Sequence, residues 1–188
     1  MLTYMKNNMD VTQAFINAAI ALGAYKAKVI DARDVETDVA FRDMCASNLC
    51  GMYGRCWTCP PDIGEIEELI KSLASYSKVL VYQTVGQLED SFDIEGMQDA
   101  ADIHNKLSEK LRSYADDLGL SSTLFLGAGG CRICPVCAKR SDQPCKYPHL
   151  AMSSLEAYGI NVSKLAATAE MKYINGQNTV TYFGAVFF

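Results

Sequence analysis

The sequence predicts an α/β fold, with α+β as the alternative: a small mixed sheet with a βαβ unit, flanking helices and two long cysteine-rich loops on its rim. A β-branched apolar run at 78–85, a helical pattern at 97–118 and a second apolar run at 122–127 follow one another. Their order and lengths are those of a crossover between two parallel strands. Eight cysteines fall into two groups, one within 45–61 and one within 130–148.

The first half of the chain alternates helical and strand patterns. A helix is predicted over 10–22, ended by Gly23, with an apolar face formed by Phe15, Ala18, Ala19 and Leu22. The segment "KAKVIDARDV" predicts a strand before the first cysteine loop. After that loop, a helix is predicted from apolar residues at helical spacing, namely Ile63, Ile66, Leu69, Leu73 and Tyr76.

The second half contains the clearest helix, over 97–118, ended by Gly119. Its apolar stripe leaves His104 outside and therefore exposed. The stripe consists of Ala100, Ile103, Leu107, Leu111, Tyr114 and Leu118. Beyond the second cysteine loop, "HLAMSSLEAYG" and "SKLAATAEM" predict two helices, and "NTVTYFGAVFF" predicts a final strand. Because regular structure fills most of the gap between the loops, we expect one domain over residues 1–188.

Charge and hydropathy exclude several classes of function. The net charge of −5 argues against a nucleic-acid partner. No apolar run reaches the ~18 residues needed to span a bilayer. The apolar stretch "AFINAAIALGAY" is interrupted by Asn17 and lacks a preceding basic cluster, so it does not fit a signal peptide. We therefore expect a cytoplasmic protein, in which metal-bound or catalytic thiols are favoured over structural disulfides.

The second cysteine group has the more specific spacing. Cys131-x2-Cys134-x2-Cys137 matches the triplet of bacterial-type ferredoxins, in which each thiolate binds a different iron of a 4Fe–4S cluster. Cys145 follows at a wider spacing and serves this cluster or another one. Zinc is the alternative, although a zinc site normally uses two separate C-x2-C pairs. Free or redox-active thiols are the third possibility.

The surroundings of this group agree with a cluster. Residues 131–150 contain four basic side chains and one acidic one, in a chain that is acidic overall. Such cations lower the electrostatic cost of an anionic cluster. The glycines "GAGG" at 127–130 follow a strand, but the pattern of a nucleotide-binding loop is absent. We interpret them as positions where the backbone approaches the metal site.

The first cysteine group is looser. Cys45-x4-Cys50-x5-Cys56-x2-Cys59 provides four thiols for a second site, and Cys59 is followed by Pro60, as at many cluster loops. Tyr53 and Trp57 are candidates for shielding that site from water.

Three segments together resemble a known family: "CASNLCGMYGRCWTCPP", "CRICPVCAKRSDQPCKYP" and "SSLEAYGINV". They are similar to a domain-of-unknown-function family of cysteine-rich predicted metal-binding proteins, found mainly in anaerobic archaea and bacteria. The resemblance implies metal binding and no particular reaction. The family's usual cysteines correspond to Cys45, Cys50, Cys59, Cys131, Cys134, Cys137 and Cys145, and Cys56 stands where many members lack a cysteine.

These observations predict a metal-binding protein that carries one or two cysteine-bound 4Fe–4S clusters and transfers electrons to a redox partner in anaerobic metabolism. The alternatives are a structural zinc protein with two sites of four cysteines each, and an iron–sulfur enzyme or metal carrier with an open coordination position. No catalytic residue is assigned; His149 and Glu156 are secondary candidates for a role beside the metals. The predicted ligands are Cys45, Cys50, Cys56, Cys59, Cys131, Cys134, Cys137 and Cys145.

Overall fold

The apolar runs of the sequence form the centre of a five-stranded sheet in the computed structural model, which describes residues 11–120 and 122–188. The strands pair in the order β1-β2-β5-β3-β4, and the prediction of a mixed sheet with flanking helices is confirmed. Their bounds are β1 Lys26–Asp31, β2 Lys78–Gln87, β3 Leu124–Gly127, β4 Ser153–Ser154 and β5 Thr179–Phe187.

The βαβ unit is split. Strands β2 and β3 both pair antiparallel with β5, so they run parallel to each other with β5 between them. The expectation that they would form a hydrogen-bonded parallel pair was wrong. The apolar C-terminal strand β5 lies between them because its side chains are buried under helices on both faces of the sheet.

Five α-helices accompany the sheet in the described part of the chain: α1 Val11–Ala21, α2 Phe41–Ala46, α3 Ile66–Leu73, α4 Ile94–Asp117 and α5 Val162–Thr168. The helix predicted over 10–22 is confirmed from Val11 onwards, while Asp10 lies outside the described residues. Across residues 11–120 and 122–188, none of the helices combines the length and apolar character needed to cross a membrane.

Each face of the sheet has its own apolar core. On one face, α1 and α4 cover the sheet through contacts that include Phe15, Leu111 and Tyr82. On the other face, α5 packs Leu165 near Phe183. The alternation of side chains along β2 and β5 supplies both cores, as expected for a strand buried on both sides.

The apolar stripe predicted for α4 was wrong by part of a turn. Ile103 is exposed, whereas His104 is 1% exposed. The buried face of α4 includes small and polar residues, among them His104 and Ser108. There, Thr84 Oγ1 lies 3.0 Å from His104 Nδ1, and the Tyr82 hydroxyl lies 2.7 Å from Ser108 Oγ. These partners on β2 allow polar helix positions to be buried.

The helix predicted over "HLAMSSLEAYG" was also wrong. The segment contains β4 and a short 3-10 helix, Glu156–Tyr158. Ser153 and Ser154 add to the free edge of β3, and the Leu155 N–H donates to the Gly127 carbonyl at 3.0 Å. Sheet pairing therefore overrides the local helical pattern, and it places this segment beside the start of the second cysteine loop.

Candidate metal centre

The two cysteine loops meet beside the β3–β4 edge of the sheet. The chain leaves β3 through Gly127–Gly130, and the first loop packs on this glycine segment. A Cβ atom added to Gly130 would lie 2.9 Å from Met52 Cε and 3.5 Å from Cys59 Sγ. The backbone of the glycine segment thus passes close to the Cys59 thiol and the end of the Met52 side chain.

Three side chains hold the loops together. Trp57 Nε1 in the first loop donates a 2.9 Å hydrogen bond to the Gln143 carbonyl in the second loop. Lys139 Nζ lies 2.7 Å from Asp62 Oδ1 and 4.4 Å from the centre of the Trp57 ring. Both members of this ion pair are mostly shielded, at 18% and 15% side-chain exposure, so the pair is less screened than a surface pair. Trp57 therefore connects the two loops, and it is not among the lining residues of either cysteine pocket.

All four cysteines of the second group line one pocket with an empty volume of about 320 Å³, which includes space open to solvent. Ile133 and Tyr147 are among its other lining residues. Burial raises the pKa of the Cys131 thiol, while backbone hydrogen bonds from Ile133 and Met152 act in the opposite direction. Hydrogen bonds of this kind favour a thiolate, the form that binds metal.

Three cysteines of the first group, Cys45, Cys50 and Cys59, line a second pocket of about 330 Å³. Cys45 lies on α2, a helix that sequence reasoning missed inside the cysteine loop. The turn that follows is held by Asn48, whose Oδ1 accepts a 3.1 Å hydrogen bond from the Tyr53 N–H. Tyr53 also lines the pocket, where it was predicted to shield the metal.

Cys56 lies beside the first pocket and is not among its lining residues. Its side chain is 0% exposed, and its Sγ lies 3.3 Å from Thr58 Oγ1. Hydrogen bonding from the Cys59 thiol lowers the pKa of Cys56, and bonds from Thr58 and the Cys131 backbone act in the same direction. The same contact raises the pKa of Cys59, together with burial and the nearby thiols. Cys56 thus lies between a residue of the first pocket and a residue of the second.

Seven of the eight cysteines line the two pockets, four in the second and three in the first. All eight are free thiols. Across residues 11–120 and 122–188, no three Cys, His, Asp or Glu side chains are arranged as ligands of a single metal ion. A zinc site made of four cysteines has its four sulfurs at about 2.3 Å from the metal. Thiolates are the ligands that soft metals prefer, including zinc and the iron of iron–sulfur clusters.

A cation from α4 supports the second pocket. Arg112 is half-buried over the Phe125 ring at 4.6 Å, and its Nη1 donates a 2.7 Å hydrogen bond to the His149 carbonyl. Its charge interacts with Cys131. Arg112 lies on α4, outside both cysteine groups, and no local pattern in the sequence indicated it.

The two secondary candidates differ in position. The side chain of His149 is exposed, and its carbonyl is the group that contacts Arg112. Glu156 is close enough to Cys45 for their charges to interact. Burial raises the pKa of the Glu156 carboxyl, and a hydrogen bond with Ser154 partly offsets this. Of the two secondary candidates, Glu156 is therefore the one that lies near a cysteine of the first pocket.

The fold and the site together define a mixed α/β protein with two adjoining cysteine-lined pockets. The model of a family described as "predicted metal-binding protein (DUF2284)" matches residues 28–188, and the chain belongs to this family. The predicted family resemblance is thereby confirmed, as is the coarse expectation of a metal-binding protein. No curated protein and no solved structure matches the chain.

Proposed function

We propose that the protein is an iron–sulfur protein with two cysteine-bound sites that transfers electrons in anaerobic metabolism, as a carrier or as an accessory to a redox enzyme. The observation that carries this proposal is the second pocket, which is lined by Cys131, Cys134, Cys137 and Cys145. A 4Fe–4S cluster takes one thiolate on each of its irons, so four cysteines around one pocket suit it. When bound, such a cluster supplies one-electron redox chemistry.

The chain's own residues support the proposal in three ways. Hydrogen bonds from the Ile133 and Met152 backbone stabilise the Cys131 thiolate, and hydrogen bonds to cluster sulfurs tune reduction potentials. The Arg112 charge interacts with Cys131 and so favours its thiolate form. Cys134, Cys137 and Cys145 are partly exposed, which leaves the pocket near the surface where a partner protein can approach.

The first pocket favours a second candidate function, an iron–sulfur enzyme or metal carrier. Three cysteines line this pocket while Cys56 lies outside it. Three protein thiolates on a four-iron cluster leave one iron for another ligand. In this version the first site performs the chemistry and the second delivers electrons to it.

Structural zinc is the competing use of the same thiols. Zinc and iron–sulfur clusters differ in composition and colour, so the decision needs no assay of activity. The proposal includes a cytoplasmic location, because thiols remain reduced there and available to metals.

The test is metal and sulfide analysis of protein purified without oxygen. We expect iron and acid-labile sulfide in equal amounts, with about four to eight of each per chain for one or two clusters, and a broad visible absorption that bleaches on reduction. A colourless protein that contains zinc and no sulfide would overturn the proposal.

A further inference from the structure

The largest of the cavities described here lies between the two cysteine groups. It is an open cleft with an empty volume of about 970 Å³, roughly three times that of either cysteine pocket. The first loop contributes Cys50 and Met52 to its lining, and α4 contributes Gln98 and Asp102. The remaining lining residues are Gly129, Gly130, Cys131, Arg132, Cys134, Pro135 and Arg140.

The cleft is continuous with both cysteine pockets through the residues that they share. Cys50, Met52 and the two glycines also line the first pocket. Cys131 and Cys134 also line the second pocket. A molecule held in the cleft would therefore lie beside thiols of both groups.

Two guanidinium groups face this space with one carboxylate. Arg132 Nη1 lies 3.5 Å from Asp102 Oδ1, which holds that side chain at the α4 side of the cleft. Arg140 makes no side-chain hydrogen bond or ion pair with any residue in 11–120 or 122–188. Its donors remain available, and planar guanidinium groups bind carboxylate and phosphate oxygens in bidentate fashion.

The glycine wall leaves room for a ligand to approach the backbone. Gly129 has φ +74° and no atom within 4 Å of the position that a Cβ would occupy. Gly129 and Gly130 therefore leave their wall of the cleft without side chains, close to Arg132 and Arg140 in its lining.

We propose that this cleft binds a small organic or inorganic oxyanion, a molecule carrying a carboxylate or phosphate group, through Arg132 and Arg140. The proposal rests on the second candidate function, the iron–sulfur enzyme or metal carrier, since it identifies the substrate class of the first site. Gln98 Nε2 donates a 3.0 Å hydrogen bond to Asp102 Oδ1, and its second amide hydrogen is left to orient such a molecule.

Binding is measured by isothermal titration calorimetry on the anoxically loaded protein, with inorganic phosphate and succinate as separate probes. Saturable binding of either probe is expected, and the comparison of the two distinguishes phosphate from carboxylate as the preferred group. Arg132→Gln and Arg140→Gln should each weaken binding by about 10- to 100-fold, the loss typical of a hydrogen bond to a charged group. Arg55→Gln is the matched control; Arg55 is exposed in the first loop, is not among the lining residues of the cleft, and its loss should change binding less than about twofold.

Two results would overturn the inference. One is the absence of saturable binding of both probes. The other is binding that both cleft variants leave unchanged while they shift the reduction potentials, because the arginines would then only balance cluster charge. Iron and sulfide are counted in the same samples, so a failure of the proposed function is recognised separately from a failure of anion binding.

Discussion

Cys56 lies between the two cysteine-lined pockets, fully buried against Thr58, Cys59 and the backbone of Cys131. A thiol in this position contacts both loops and is not among the lining residues of either cysteine pocket. The cysteine spacing did not distinguish Cys56 from Cys59 as a candidate ligand, because spacing alone does not reveal which way a side chain points; only the family resemblance set Cys56 apart.

We predict that Cys56→Ser retains its full iron content and its electron paramagnetic resonance spectrum after reduction. Cys59→Ser is the matched control, since it makes the same replacement in the same C-x2-C pair but at a residue that lines the first pocket. The control should lose about half of the iron if both sites hold clusters. Loss of the first cluster from Cys56→Ser would instead identify Cys56 as its fourth ligand.

His104 provides a test that does not involve the metals. Burial lowers its pKa from 6.5 to about 4, which the Phe183 backbone only partly offsets. Between these two values the unfolded chain binds a proton that the folded chain does not. The free energy of unfolding should therefore rise as the pH increases from about 4 to 6.5.

The two pKa values imply that His104 lowers the free energy of unfolding by about 2 kcal/mol when the pH falls from 7 to 5. Urea unfolding of wild type and His104→Gln at both pH values measures it, and the variant should lose less stability on acidification. His149→Gln serves as the control, because His149 is exposed and its removal should leave the pH dependence intact. Equal pH dependence in wild type and His104→Gln would contradict the burial argument.

At the scale of elements, the spacing of apolar residues predicted the two long strands and the longest helix. Strands β2 and β5 are apolar on both faces, and α4 is long enough for its period to be clear. The sequence could not predict which polar residues of α4 find partners on β2, because Thr84 and His104 are 20 positions apart. Nor could it predict β4, whose two residues form a strand only because the edge of β3 is free.

Gln83 on β2 is an element-scale exception to the usual pairing of buried polar groups. Its side chain is 0% exposed, and neither Oε1 nor Nε2 has a hydrogen-bond partner in the described part of the chain. It lies on the same face of β2 as Val79 and Val81, opposite Phe183 of β5. An unpaired amide in such a place lowers stability.

Replacing this amide with an apolar side chain of similar length should stabilise the fold. We predict that Gln83→Met raises the free energy of unfolding by about 1–3 kcal/mol, the usual penalty for an unsatisfied buried group. Chemical denaturation gives the value, and Gln87→Met at the exposed end of the same strand is the control, with a change within about 0.5 kcal/mol. A loss of stability in Gln83→Met would show that the amide has a partner, such as a buried water.

At the scale of the whole molecule, the split sheet brings together loops that are far apart in sequence. The hydrogen bond between Trp57 and Gln143, which are 86 positions apart, and the ion pair between Asp62 and Lys139 join them directly. The cysteine spacing predicted two groups of candidate ligands. No local pattern in the sequence encodes the tertiary contacts that bring the two groups together. The same holds for the position of Arg112 near Cys131 and for the cleft that both groups line.

The central claim is that the second loop holds an iron–sulfur cluster, and Cys134→Ser tests it most directly. Cys134 is the middle residue of the triplet and lines the second pocket. Val136→Ala is the control in the same loop, at an exposed side chain that is not among the lining residues of that pocket. After anoxic purification, we predict that Cys134→Ser loses about half of the iron and sulfide of wild type while Val136→Ala keeps all of it. Unchanged iron in Cys134→Ser would contradict the account.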